Sequence, residues 1–99
     1  MSRVYTIPEL KEILTPIFQQ NGVRQAILFG SYANGCATPQ SDVDLLVDSG
    51  LRGLAFFGLL EDVVTALDIS VDLLDVSQIT VGSKIHGEIR ESGVEIFGS

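Results

Sequence analysis

Three short apolar runs, spaced by two helical stripes, constrain this chain more than any other feature. The runs lie at residues 23–29 (VRQAILF), 42–47 (DVDLLV) and 69–76 (ISVDLLDV). Each has the length of a strand, and the continuous apolar end of the first predicts a place inside a sheet. Ahead of it, Leu10, Ile13, Leu14, Ile17 and Phe18 recur on one helical face. Thr6 with Glu9 predicts a capping box that opens this helix. Pro16 removes one backbone hydrogen bond inside it and predicts a kink. Gln20-Asn21-Gly22 ends it, with Asn21 or Gly22 suited to a left-handed cap. Between the second and third runs, Leu54, Phe57, Leu60, Val63, Val64 and Leu67 form another helical stripe. Gly30 and Ser31 break the first strand and open a short turn or helix. Ser77 or Thr80 is expected to cap a last helix through about Glu91, with Ile85 and Ile89 facing inward. Residues 93–97 (GVEIF) then read as an edge strand. The order α-β-(α)-β-α-β-α-β predicts a mixed α/β layer of about four strands with helices packed on one sheet.

A chain of 99 residues is expected to be one domain, 1–99, near the small end of what folds alone. With 45% hydrophobic residues it has enough apolar surface to fill one shared core. Mean hydropathy is +0.35, yet no apolar run approaches the roughly 18 residues of a membrane span. Glu9, Lys11 and Glu12 interrupt the N-terminal stretch where a signal peptide needs its apolar centre, which reads against export. The single Cys36 cannot form an internal disulfide, and together these features point to the cytoplasm. Six Lys and Arg stand against thirteen Asp and Glu, a net charge of −7. Nucleic-acid binders neutralise phosphates with a basic stripe, and none is present, so a long polynucleotide is a poor substrate. A small metal-complexed nucleotide is not excluded on that ground.

The spacing that carries chemistry is Gly30-Ser31, ten residues, then Asp42-Val43-Asp44. Alternate side chains of a strand share a face, so Asp42 and Asp44 are expected to point the same way, roughly 7 Å apart at Cα. Two carboxylates so placed repel unless a cation lies between them. Mg²⁺ suits the position because it takes one or two carboxylates plus substrate phosphates. Gly30 lets backbone approach a phosphate closely. Ser31 adds a hydroxyl, and the N–H groups at the following turn offer an anion site. The pattern predicts a site for a metal-nucleotide.

Leu28-Phe29-Gly30-Ser31-Tyr32-Ala33, followed by Ser41-Asp42-Val43-Asp44-Leu45, resembles the nucleotidyltransferase superfamily that includes DNA polymerase β. It is most similar to the minimal branch, the MNT proteins found beside HEPN-domain proteins in prokaryotes, whose motif is G-S-x10-D-x-D. The resemblance implies a nucleotidyltransferase-like mixed sheet and a third carboxylate on the next strand. Asp72 in Ser70-Val71-Asp72-Leu73-Leu74 is the best match, with Asp75 second because its strand parity is opposite. It further implies that Asp42, Asp44 and Asp72 hold up to two Mg²⁺ ions, that ATP is the substrate, and that Asp72 serves as general base. The partner so implied is a HEPN-type ribonuclease toxin, modified by AMP on a tyrosine, with this chain as its antitoxin. One departure stands out: many relatives have Arg after this segment, where the present chain has Asn34.

Competing readings are weaker at each residue. Tyr32 reads as a packing residue at the turn, Cys36 as an incidental thiol, and His86 as a surface helix residue. A chain this short leaves little room to hold an acceptor, so another protein must present it. An alternative is an antitoxin that neutralises its partner by contact alone, since an acidic surface suits a basic RNA-binding face. Another is transfer to a small molecule such as an aminoglycoside. A phosphatase or a glycosyltransferase using D-x-D explains Gly30-Ser31 least.

Overall fold

The computed structural model describes residues 4–98. Helix α1 (Ile7–Gln20) leads into strand β1 (Gln25–Phe29), the single turn α2 (Ser31–Asn34) and strand β2 (Val43–Asp48). Helix α3 (Leu54–Leu67), strand β3 (Val71–Asp75), a 3₁₀ turn (Val76–Gln78), helix α4 (Lys84–Ser92) and strand β4 (Val94–Phe97) complete the order. The strands form one mixed sheet in the order β3-β2-β1-β4. β1 is antiparallel to both β2 and β4, while β2 and β3 run parallel, joined by the α3 crossover. β1 is internal and β4 is an edge, as their patterns predict.

Alternation along the strands sorts the side chains between two faces. Ala26, Leu28, Val43, Leu45, Val47, Leu73 and Ile96 belong to the core, with Leu10, Leu14 and Phe18 of α1 and Leu59, Val63 and Leu67 of α3. The opposite parity on β1 to β3 puts Ile27, Phe29, Asp44, Leu46 and Asp72 on the other face. The C-terminal end of α4 packs on that face: a Cβ at Gly93 would lie 2.9 Å from Cγ2 of Ile27. Helices α1 and α3 therefore cover one face, and the carboxylates emerge on the other, which α4 partly covers.

The capping box at α1 is present: the Glu9 N–H donates to Thr6 Oγ1 (3.2 Å) and the Thr6 N–H to Glu9 Oε1 (2.9 Å). The helix runs through Pro16 to Gln20. At its end Asn21 Nδ2 donates to the Ile17 carbonyl (2.8 Å), and Gly22 takes the left-handed conformation.

Two expectations need correction. α3 turns Leu59, Val63 and Leu67 to the core, with Phe56 and Leu60 partly buried, whereas Leu54, Phe57 and Val64 lie on the solvent side. Its sequence is apolar over so much of the circumference that periodicity alone does not choose the inward face. α4 is capped by Ser83, whose Oγ accepts from the His86 N–H (3.2 Å), and starts at Lys84, not after Ser77 or Thr80. Gly82, at φ 86°, turns the chain just before it. Ser77 lies instead in the 3₁₀ turn that Asp75 caps. Ile85 is exposed and Ile89 half-buried, so α4 shields a flank of the sheet without entering the core. No helix among the described residues is long and apolar enough to cross a membrane.

Candidate nucleotide site

Strand register brings the motif residues to one end of the sheet. Phe29 pairs with Asp44 across the antiparallel β1–β2 ladder, so the chain leaves β1 through Gly30 and Ser31 directly beside Asp44. Asp44 pairs with Asp72 across the parallel β2–β3 ladder. Register partners in adjacent strands point to the same face, about 4.8 Å apart at the backbone. Asp42 falls just ahead of the first residue of β2 and is exposed at the mouth of the cluster. The fold thus gathers Gly30, Ser31, Asp42, Asp44 and Asp72 from three segments that lie up to 42 residues apart.

Gly30 sits at φ 73°, ψ −152°, a conformation essentially confined to glycine. A Cβ there would run into the Asp44 carboxylate. Both the backbone conformation and the neighbour therefore demand glycine, and the backbone is left bare next to the acidic cluster. Ser31 is the first residue of α2, and the cap position belongs to Gly30, which makes no side-chain bond. The Ser31 side chain is thus not the helix cap. Because α2 is one turn long, it offers the unpaired N–H groups of a helix start but only a small dipole. Asn34 ends α2 and is exposed, and Gly35 follows in the left-handed region at φ 75°.

The electrostatics centre on Asp44. Burial raises its pKa first, and the charges of Asp72, Asp42 and Glu88 raise it further, from 3.8 to about 6. Glu88 is a contribution that the sequence pattern did not reveal. It comes from α4, whose place over this face depends on tertiary packing.

Asp75 is excluded from the cluster. Its parity turns it to the core side, where it is only 4% exposed and accepts four hydrogen bonds. Ser49 donates from its N–H (3.1 Å) and its Oγ (2.7 Å), and Ser77 from its N–H (3.0 Å) and its Oγ (2.7 Å). Burial alone would push this carboxyl up, but the bonds from Ser49 and Ser77 outweigh it and hold the pKa at about 2. Asp75 ties the end of β2 to the 3₁₀ turn, at the opposite end of the sheet from Asp44.

Tyr32 is buried in the core, so its packing role is the one the structure supports. Cys36 is a free, exposed thiol. His86 is half-buried, and its Nδ1 accepts from the Gly82 N–H (3.1 Å) at the start of α4.

Among the described residues no three Asp, Glu, His or Cys side chains converge closely enough to enclose a metal by themselves. The arrangement fits a different kind of occupant. Paired carboxylates, one of them seated directly against Gly30, suit a divalent cation completing its shell with phosphate oxygens.

Residues 12–99 match the family model described as polymerase beta, nucleotidyltransferase. The protein adenylyltransferase MntA of Thermococcus cleftensis is 39% identical over 83 residues, covering 78% of this chain and 84% of that protein. A crystal structure of a toxin-antitoxin with AMP-PNP superposes with a TM-score of 0.76 at 25% identity, covering 90% of this chain and 73% of that one. A complex of a tri-AMPylated Shewanella oneidensis HEPN toxin with an MNT antitoxin shares the fold at a TM-score of 0.71. There the identity is 21%, over 95% of this chain and 74% of that one.

Proposed function

This chain belongs to the polymerase beta nucleotidyltransferase family, and we propose that it transfers AMP from Mg²⁺-ATP to a tyrosine hydroxyl of a HEPN-type toxin, acting as its antitoxin. The carrying observation is the register that sets Asp44 beside Asp72 and directly against Gly30. The AMP-PNP-bound toxin-antitoxin relative and the adenylyltransferase name of the Thermococcus protein support the same reading.

In this reading Asp42 and Asp44 would hold a divalent cation together with the triphosphate, and Asp72 would complete the set for a second ion. When bound, the cation would offset the triphosphate charge and make the α-phosphorus more electrophilic. The bare backbone at Gly30 and the Ser31 hydroxyl receive phosphate oxygens. Asp72 accepts the proton of the attacking hydroxyl. The acceptor oxygen forms a bond to the α-phosphorus, the bond from that phosphorus to the bridging oxygen breaks, and pyrophosphate leaves with the electron pair. AMP added to a toxin tyrosine brings negative charge and bulk to a surface that must admit RNA, a direct route to inhibition.

The test is label transfer from α- and γ-labelled ATP with Mg²⁺, using this protein, the product of its neighbouring gene, and Asp44→Asn as control. The expected result is a toxin band labelled from α but not γ, and lost in the variant. A toxin that is bound and neutralised equally by wild type and Asp44→Asn, with no label, would overturn transfer in favour of inhibition by contact.

A further inference from the structure

Helix α3 is apolar on more of its surface than the core uses. Leu54 is 91% exposed, Phe57 62% and Val64 36%, all away from the Leu59, Val63 and Leu67 face. Positions three and four apart on a helix are neighbours, so Leu54, Phe57, Glu61 and Val64 form one outer stripe that leads to Asp68 at the C-cap. From residue 54 to its cap, α3 carries Glu61, Asp62 and Asp68 and no basic residue. Asp62 accepts from Asn21 (3.3 Å), whereas Glu61 and Asp68 make no ion pair among the described residues. The stripe ends at the nucleotide site: Asp68, Ile69 and Ser70 line a cavity of about 330 Å³ together with Asp42.

The geometry points to the outer face of α3 as the surface on which the acceptor protein docks, by an apolar patch flanked with Lys or Arg. This rests on the transfer reading, which requires a protein acceptor to reach the carboxylates. A partner lying along the stripe arrives at Asp42, where its hydroxyl must be delivered. Interleaved acids without bases, on a chain of net charge −7, select a basic partner. They also act against a second copy of this chain. Glu61 is near the middle of the stripe, so a two-fold pairing of α3 with itself would bring Glu61 against Glu61.

The test uses the Leu54→Ser, Phe57→Ser double variant and, separately, Glu61→Lys. Each is titrated against the purified HEPN-type product of the neighbouring gene by calorimetry, then assayed for AMP transfer. The exposed positions leave the fold and the Mg²⁺-ATP melting shift unchanged. The Kd for the toxin and the KM for toxin as acceptor are expected to rise about tenfold or more, with kcat at saturating toxin preserved. An unchanged Kd and KM, or a wild type that does not bind the toxin, overturns the assignment. A wild-type dimer seen by light scattering and broken by the double variant also overturns it, assigning the stripe to self-association. If the variants weaken toxin binding while wild type transfers no label, docking at α3 stands and the transfer reading falls.

Discussion

Replacing Asp44 by Asn should stabilise the metal-free protein while abolishing its activity. In the fold this carboxyl is lifted from 3.8 to about 6, by burial first and then by Asp72, Asp42 and Glu88. At about 1.4 kcal/mol per factor of ten, the lift corresponds to about 3 kcal/mol of unfavourable charging. The site opens to solvent, and screening reduces this to on the order of 1–2 kcal/mol. The sign follows from linkage. A carboxyl whose folded pKa is raised favours folding while protonated, below about pH 4, and that contribution is lost as the pH rises through about 6. Asn is nearly isosteric and never charges. In urea unfolding with EDTA, the variant should therefore exceed wild type by on the order of 1–2 kcal/mol at pH 8. The gap should close as the pH falls from about 6 to 4. Equal stabilities at pH 8, or a gap that does not change with pH, would refute the crowding of charge at Asp44.

Mg²⁺ with ATP should stabilise wild type and not the Asp44→Asn variant, since ligand binding to the folded state adds about 2.7 kcal/mol at a hundred times Kd. For a chain of this size that is a rise in Tm on the order of 10 °C by differential scanning fluorimetry, and no rise in wild type would remove the nucleotide site. Gly30→Ala should cost about 1–3 kcal/mol in urea unfolding and also lose the Mg²⁺-ATP shift, because the added Cβ meets the Asp44 carboxylate. Full retention of both would contradict the described turn. Asp75→Asn should cost about 2 kcal/mol at pH 7 by removing the charged acceptor of four bonds. Because the folded pKa is lowered to about 2, that loss should shrink as the pH falls below about 4; a cost independent of pH would count against the ionised clamp.

What the sequence disclosed depended on whether the determinant was local. The Thr6–Glu9 box, the strand segments and the spacing of Gly30-Ser31 from Asp42 and Asp44 are each written within a single short stretch of chain, and each was legible. Strand parity alone separated Asp72 from Asp75, because period-2 alternation is rigid enough to assign a face without knowing the neighbours. The inward face of α3 was not legible. Leu54 and Phe57 are as apolar as Leu59 and Val63, and only the position of α1 and β3 against the helix decides between them. The start of α4 failed for a related reason. Ser77, Thr80 and Ser83 are all competent caps, and Asp75 draws Ser77 into its own hydrogen bonds, leaving the helix to begin at Lys84.

The same distinction changes how Gly30 is to be understood. From sequence, its value is access for a phosphate. The structure adds Asp44 immediately against it, so the glycine also makes room for the carboxylate. The segment that bares the backbone and the acid beside it occupy one space and depend on each other. Damage to both folding and binding at Gly30 consequently cannot separate a structural from a functional role. Asp44→Asn can, because the two effects run in opposite directions: stability up, transfer lost. A residue that weakens the fold when charged, yet is indispensable to the reaction, is what a site built for a cation should contain.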